Sequence, residues 1–88
     1  MNDEIIKELK QKMIDFQNED VYIELENAIQ YHTTIKNAKI IVSDEKLIIS
    51  NEKEKDFIIE LHYLYDIEIS DNTVYLELTN DIRITLDH

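Results

Sequence analysis

The sequence predicts an α+β fold: an N-terminal amphipathic helix followed by an antiparallel β-meander of five to six strands, strongly bent and able to close into a small barrel. Three observations predict it. Apolar residues recur at helical spacing near the start of the chain, and the period changes to two after Asp20. Four successive breaks can then each be closed as a hairpin that keeps apolar residues on one face. With 88 residues, 43% of them hydrophobic, the chain reads as a single domain over 1–88 with one modest core.

From Asp3 to about Asn18, Ile5, Ile6, Leu9, Met13 and Phe16 form an apolar stripe, and Glu4, Lys7, Glu8, Lys10, Gln11 and Lys12 fill the positions between. This is one amphipathic helix over 3–18. Asn2 or Asp3 caps its start, and Glu4 suits the positive end of its dipole. The stripe is expected to pack on its own domain rather than on a membrane surface or a partner.

The first strand, 21–26, alternates Val21, Ile23 and Leu25 with Tyr22, Glu24 and Glu26. Residues 27–34 read as a loop, with Ala28, Ile29 and Tyr31 the alternative of a strand continuing through a bend. Further strands are expected at 35–42, 46–50, 57–69, 73–78 and 82–86. In the longest run Phe57, Ile59, Leu61, Tyr63, Tyr65, Ile67 and Ile69 are all odd-numbered, so all are expected to face the core, with a bend near His62.

Glycine and proline are both absent, so the turns must be built from Asn, Asp, Ser and Lys. Pairing across a hairpin preserves the face, which makes register testable by parity. A two-residue turn at Asp71-Asn72, with positive φ, pairs Ile69 with Val74, Ile67 with Leu76 and Tyr65 with Leu78. A three-residue loop, Thr79–Asp81, with Asn80 or Asp81 left-handed, matches Leu78 with Ile82, Leu76 with Ile84 and Val74 with Leu86. A turn at Asp44-Glu45 pairs Val42 with Leu47 and Ile40 with Ile49. One at Glu52–Glu54 pairs Ile49 with Phe57 and Leu47 with Ile59. Agreement of all four hairpins is the consistency a well-specified fold shows.

The same registers align Ile41, Ile48 and Ile58 on the face opposite the core, with Lys39, Ser50 and Asp56 in the row above and Ser43, Lys46 and Glu60 below. Such a row needs a cover. The N-terminal helix is the expected one, because its stripe needs a mate, and a dimer or partner surface is the alternative. On the outer face of the C-terminal hairpins, Asp66 falls opposite Glu77 and Glu77 opposite Arg83, with Glu68 one row away. Arg83 is expected to neutralise the facing carboxylates, the alternative being acid/base chemistry or Ca²⁺ or Mg²⁺ binding by Asp66, Glu68 and Glu77. Ile41, Ile48, Ile58, Asp66, Glu68 and Glu77 are therefore the candidate interaction surface.

The formal net charge is −11, from 20 acidic and 9 basic side chains. A surface of this sign repels nucleic-acid phosphates and anionic membranes, so the expected partners are a basic protein surface or a second copy, with no nucleic acid and no membrane. Absence of cysteine excludes disulfides and thiolate chemistry and fits a reducing compartment, the cytoplasm being expected. Met1–Lys12 carries charges throughout, unlike a signal peptide, and no stretch approaches the ~20 apolar residues of a membrane span. Without glycine there is no phosphate-binding loop. Glu60 and His62 share a strand face with no third ligand, and Ser43, Ser50 and Ser70 lie near turns with no histidine beside them. The sequence thus predicts no catalytic residue, no metal and no cofactor. Heavy use of Ile, Lys, Asn and Glu, with Arg83 the single arginine, points to an AT-rich coding genome.

The segment Val21-Tyr22-Ile23-Glu24-Leu25-Glu26-Asn27-Ala28 resembles the opening of the first motif of the Sm-like barrels, as does a helix followed by a bent five-strand meander. The resemblance covers no more than a third of the chain. Ala28 and Thr33 or Thr34 stand where that family has glycines, and no basic RNA-contacting motif is present, so it implies a fold and not RNA binding. Two functions fit the whole: a small acidic, non-enzymatic protein-interaction or assembly module, or a phage or mobile-element inhibitor of anti-restriction or anti-CRISPR type. The inhibitor would mimic nucleic acid on a basic groove.

Twenty carboxylates on a small domain repel one another, and salt screens that repulsion. The thermal midpoint is expected to rise between low and moderate ionic strength. A flat or falling midpoint would show that the charges already sit in compensating pairs.

Overall fold

The helical period ends at Met13. A computed structural model describes residues 3–26, 31–51 and 54–88. In it α1 (Asp3–Met13) gives way to a 3₁₀ turn at Ile14–Phe16 instead of running on to Asn18. Ile6, Leu9, Met13 and Phe16 are buried along its stripe, while Ile14 is exposed. Asp3 and Glu4 in the first turn and Lys10 and Lys12 in the last suit the helix dipole.

What stops the helix is tertiary. Gln17 is extended, and its side-chain amide holds both backbone groups of Ile40: Nε2 donates to the carbonyl at 2.5 Å and Oε1 accepts from the N–H at 3.1 Å. Asn18 N–H donates to the Ala38 carbonyl at 2.8 Å, Ala38 N–H donates to the Glu19 carbonyl at 2.9 Å, and Asn37 N–H donates to Asp20 Oδ1 at 3.0 Å. Residues 17–20 therefore run along residues 37–40 as a seam. Asn18 and Asn37 both adopt left-handed φ, 62° and 51°, which asparagine tolerates better than other residues with a Cβ.

Eight strands follow: β1 (Val21–Glu26), β2 (Tyr31–Ile35), β3 (Lys39–Val42), β4 (Lys46–Asn51), β5 (Glu54–Glu60), β6 (Leu64–Ile69), β7 (Thr73–Leu78) and β8 (Arg83–Asp87). All pair antiparallel, in a five-stranded sheet of order β2-β1-β8-β7-β6 and a three-stranded sheet β3-β4-β5. The α+β class holds, but neither sheet closes into a barrel, and the five-strand closure implied by the Sm-like resemblance is absent. The strand count rises from five or six to eight for two reasons. Tyr31–Ile35 pairs with β1 where a loop is expected, taking Ile35 from the expected 35–42 strand at the left-handed Asn37, and a 3₁₀ turn at Leu61–Tyr63 divides the expected 57–69 strand into β5 and β6. Ala28 and Ile29, considered as a strand continuation, lie outside the described residues, as do Asn2 as helix cap and Glu52 in its turn.

The hairpin registers follow the parity rule. Val42 pairs with Leu47, Ile40 with Ile49, Ile49 with Phe57 and Leu47 with Ile59. Ile69 pairs with Val74, Ile67 with Leu76, Leu76 with Ile84 and Val74 with Leu86. Leu78 N–H donates to the Ile82 carbonyl at 2.9 Å, and Asp81 is the left-handed residue of that loop, φ 62°. Two expectations fail locally. Asp71 and Asn72 are not among the residues of positive φ. The turn is closed by Ser70 N–H donating to the Thr73 carbonyl at 2.9 Å and held from outside by Lys12 Nζ donating to the Asp71 carbonyl at 2.7 Å and His88 N–H donating to the Asn72 carbonyl at 3.0 Å.

The second failure is the long strand 57–69. A 3₁₀ turn at Leu61–Tyr63 breaks it at the expected bend, where Leu61 N–H donates to the Glu45 carbonyl at 2.8 Å. A bulge follows, so Leu64 and not Tyr65 pairs with Leu78. Parity is lost across the turn and regained across the bulge. Leu61 and Leu64 are buried, while Tyr63 and Tyr65 are 47% and 56% exposed rather than inward, and Ile69, though paired with the buried Val74 at the end of β6, is exposed as well.

One core collects Ile23, Val74, Leu76, Ile84 and Leu86 from the five-stranded sheet, Ile40, Leu47, Ile49 and Ile59 from the three-stranded sheet, and the helix stripe. The helix packs against β3 and β6 on this inner side. It does not cover the isoleucine row, contrary to expectation, because its stripe already has both inner faces as mates.

Gln17→Ala removes two hydrogen bonds from the seam, leaving the Ile40 backbone groups to water, and is expected to cost about 1–2 kcal/mol in denaturant unfolding. Asn37→Gly, which keeps the left-handed backbone, should stay within about 0.5 kcal/mol. Equal effects would show that the seam rests on its backbone bonds alone.

Candidate functional site

Two sheets sharing one core turn two outer faces to solvent, and strand alternation decides which side chains stand on each. On the three-stranded sheet the register sets Ile41 beside Ile48 and Ile48 beside Ile58, as parity requires. Ile41 is 58% and Ile58 51% exposed, with Ile48 half-buried between them. Lys39 pairs with Ser50 above the row, and Lys46 pairs with Glu60 below it. Asp56 lies two residues before Ile58 on β5, next to a register shift between Ile49 and Asn51. Lys39 also reaches across the β3 edge to donate to Asn18 Oδ1. Ser43 closes the β3–β4 turn: its Oγ accepts from the N–H groups of Glu45 and Lys46 at 3.3 and 3.1 Å.

The outer face of the five-stranded sheet is a different surface. One row runs Glu26, Arg83, Glu77, Asp66 across β1, β8, β7 and β6. The next runs His32, Glu24, Thr85, Tyr75, Glu68, and a third holds Thr34, Tyr22, Asp87 and Thr73. Six carboxylates (Glu24, Glu26, Asp66, Glu68, Glu77 and Asp87) thus share this face with one guanidinium. Arg83 Nε lies 3.2 Å from Glu77 Oε1, off the alignment of a hydrogen bond, and its guanidinium carbon sits 4.6 Å from the centre of the Tyr75 ring. Between the Tyr75 ring and Glu77, the arginine offsets part of the repulsion between Glu77 and the facing Asp66.

Asp66 and Glu77 face one another as expected, with Glu68 in the adjoining row opposite Tyr75. Asp66 Oδ1 accepts from Ile67 N–H at 2.9 Å. Among the described residues no group of three or more His, Asp or Glu side chains is placed to hold a metal ion. Glu60 and His62 do not share a strand face: Glu60 ends β5, while His62 lies in the 3₁₀ turn with its ring 3.9 Å from that of Tyr63. Tyr22 donates to Glu24 Oε2 at 3.2 Å. Partial desolvation first, and then that hydrogen bond and the Glu24 charge, raise its pKa above the ordinary phenol value. Two depressions on the described surface are open. One, of about 220 Å³, is lined by Lys10, Met13, Ile14, Gln17, Ile40 and Val42; the other, of about 510 Å³, lies along Glu4, Lys7, Glu8 and Gln11 of α1.

The residues missed in the sequence are Glu24, Glu26, Asp87 and Tyr75, which extend the acidic face. Their alternation with apolar residues was visible, but the pairing of β1 with β8 that brings them together carries no local signal. Comparison of the chain with protein-family models, with curated proteins and with solved structures finds no match. No helix among the described residues is long and apolar enough to cross a membrane.

Arg83→Met is expected to lower stability by about 1 kcal/mol at low salt, since the carboxylates lose their shared counter-charge and Tyr75 its cation. The deficit should shrink as salt is added and be partly recovered by Glu77→Gln in the same chain. Denaturant unfolding at two ionic strengths checks both; an unchanged stability would reduce Arg83 to a bystander.

Proposed function

We propose that this chain is a non-enzymatic protein-interaction module whose contact surface is the outer face of the three-stranded sheet, centred on Ile41, Ile48 and Ile58. One observation carries the reading: two large aliphatic side chains in one row stand more than half exposed on a regular sheet face that the chain's own helix leaves open. An apolar row on a rigid, pleated surface is what a partner's apolar groups need, and exposing it without a partner favours aggregation. No cofactor and no catalytic residue enter this reading.

The six-carboxylate face favours a second reading, in which the acids stand in for nucleic-acid phosphates and occupy a basic groove of a nucleic-acid enzyme, as an inhibitor from a phage or mobile element would do. It is the weaker of the two, because Arg83 and Tyr75 interrupt the negative rows at their middle.

One experiment separates the two readings. A photo-crosslinking amino acid is placed at Ile58 or at Glu68, both exposed, and the cells are irradiated. A discrete adduct from position 58 alone supports the apolar module. One from position 68 alone, lost as salt is raised, supports mimicry. No adduct from either position overturns both.

A further inference from the structure

Resting on the apolar-module reading, we infer that the occupant of the isoleucine face is a second copy of this chain, packed face to face about a two-fold axis running along β4. The local charge carries the inference. The chain as a whole has a net charge of −11. Among the described residues, the charges flanking the isoleucine row are Lys39 and Lys46 against Glu60, which pairs with Lys46, and the exposed Asp56 two residues before Ile58, and these cancel. The acidic excess therefore lies elsewhere, and six carboxylates sit on the opposite outer face. Two copies of so acidic a chain can approach closely only through a surface that carries no net charge, and this sheet face is one.

The arrangement is also self-complementary. A two-fold axis along β4 lays β3 of one copy over β5 of the other. Ile48 then meets Ile48, Ile41 meets Ile58, and the exposed Lys39, on leaving Asn18 Oδ1, meets Asp56 of the second copy, once on each side of the axis. Lys46 meets its own equivalent, with Glu60 of both copies one strand away. The alternative axis, across the strands, sets Asp56 against Glu60 twice with no opposite-charge pair to offset them, whereas the axis along β4 sets the single Lys46–Lys46 contact against two Lys39–Asp56 pairs and is therefore favoured. Three strands about 4.8 Å apart and some five residues long offer roughly 300 Å² per copy. This is well below the ~800 Å² of a standard interface, so the association is weak and concentration-dependent.

Salt decides between this occupant and a basic one. Screening relieves the repulsion between two acidic chains, so self-association tightens with ionic strength, whereas a contact with a basic protein loosens. Sedimentation velocity on the purified chain, from about 10 μM to about 1 mM, is expected to show a monomer–dimer equilibrium that strengthens several-fold between low salt and roughly 0.5 M salt. Ile58→Asn, which leaves the net charge alone, should abolish the dimer with an unchanged circular-dichroism spectrum. Lys39→Glu should weaken it about tenfold, and adding Asp56→Lys to the same chain should restore it. A monomer at every concentration and salt overturns the inference, as does a dimer that loosens with salt or is indifferent to Ile58→Asn. The two levels fail separately: a crosslink from position 58 to a foreign protein, with a purified chain that stays monomeric, keeps the interaction module and removes the second copy. An adduct of twice the chain mass supports both.

Discussion

The pairing of β1 with β8 is the contact on which the rest of the molecule depends. It joins strands roughly sixty residues apart, at a loop-closure cost of about 3–4 kcal/mol, before any of its own contacts contribute. In return it turns two separate hairpin systems into one five-stranded sheet and brings Ile23 and Leu86, both fully buried, side by side. Without it β1 and β2 form an isolated ribbon, which is marginal in water, and the helix stripe faces half a core. The other ladders, β3-β4-β5 and β6-β7-β8, each link neighbours in sequence, so they can form locally and offer β1 a template.

A second constraint follows from having two sheets and one short helix. The helix can fill the inner side between the sheets or cover an outer face, and at eleven residues it cannot do both. It takes the inner side, where Ile6, Leu9 and Met13 reach the common core. The three-stranded sheet pays for this with an apolar row left open to solvent. Its β3 edge is closed more economically, by the seam of residues 17–20, whose Gln17 amide imitates a neighbouring strand for Ile40. Along residues 38–40 this edge is closed to pairing by another chain, while β5 remains the other edge strand of the sheet.

The two outer faces divide the chemistry of the surface between them. The five-stranded sheet carries crowded carboxylates around Arg83, and the three-stranded sheet carries isoleucines within balanced charge. Segregation of this kind gathers carboxylates on one outer face and leaves an exposed apolar row on the other.

By itself the sequence determined whatever is local. The helix start, the hairpin registers and the alignment of Ile41, Ile48 and Ile58 all follow from spacing, because hairpin partners share a face and a single slip would invert every side chain. The opposition of Asp66 to Glu77 and of Glu77 to Arg83 was legible for the same reason. Only the tertiary structure decided the rest. Parity could not register the 3₁₀ turn at Leu61–Tyr63 or the bulge after Leu64, since a turn and a bulge that compensate leave the pattern beyond them unchanged; Tyr63 and Tyr65 were therefore assigned to the wrong side. Nor could it show that α1 stops at Met13, that β1 lies against β8, or that the helix leaves the isoleucine row open. Each of these depends on which surfaces meet across the core, a choice made by closing long loops and filling a shared interior, and no window of adjacent residues records it.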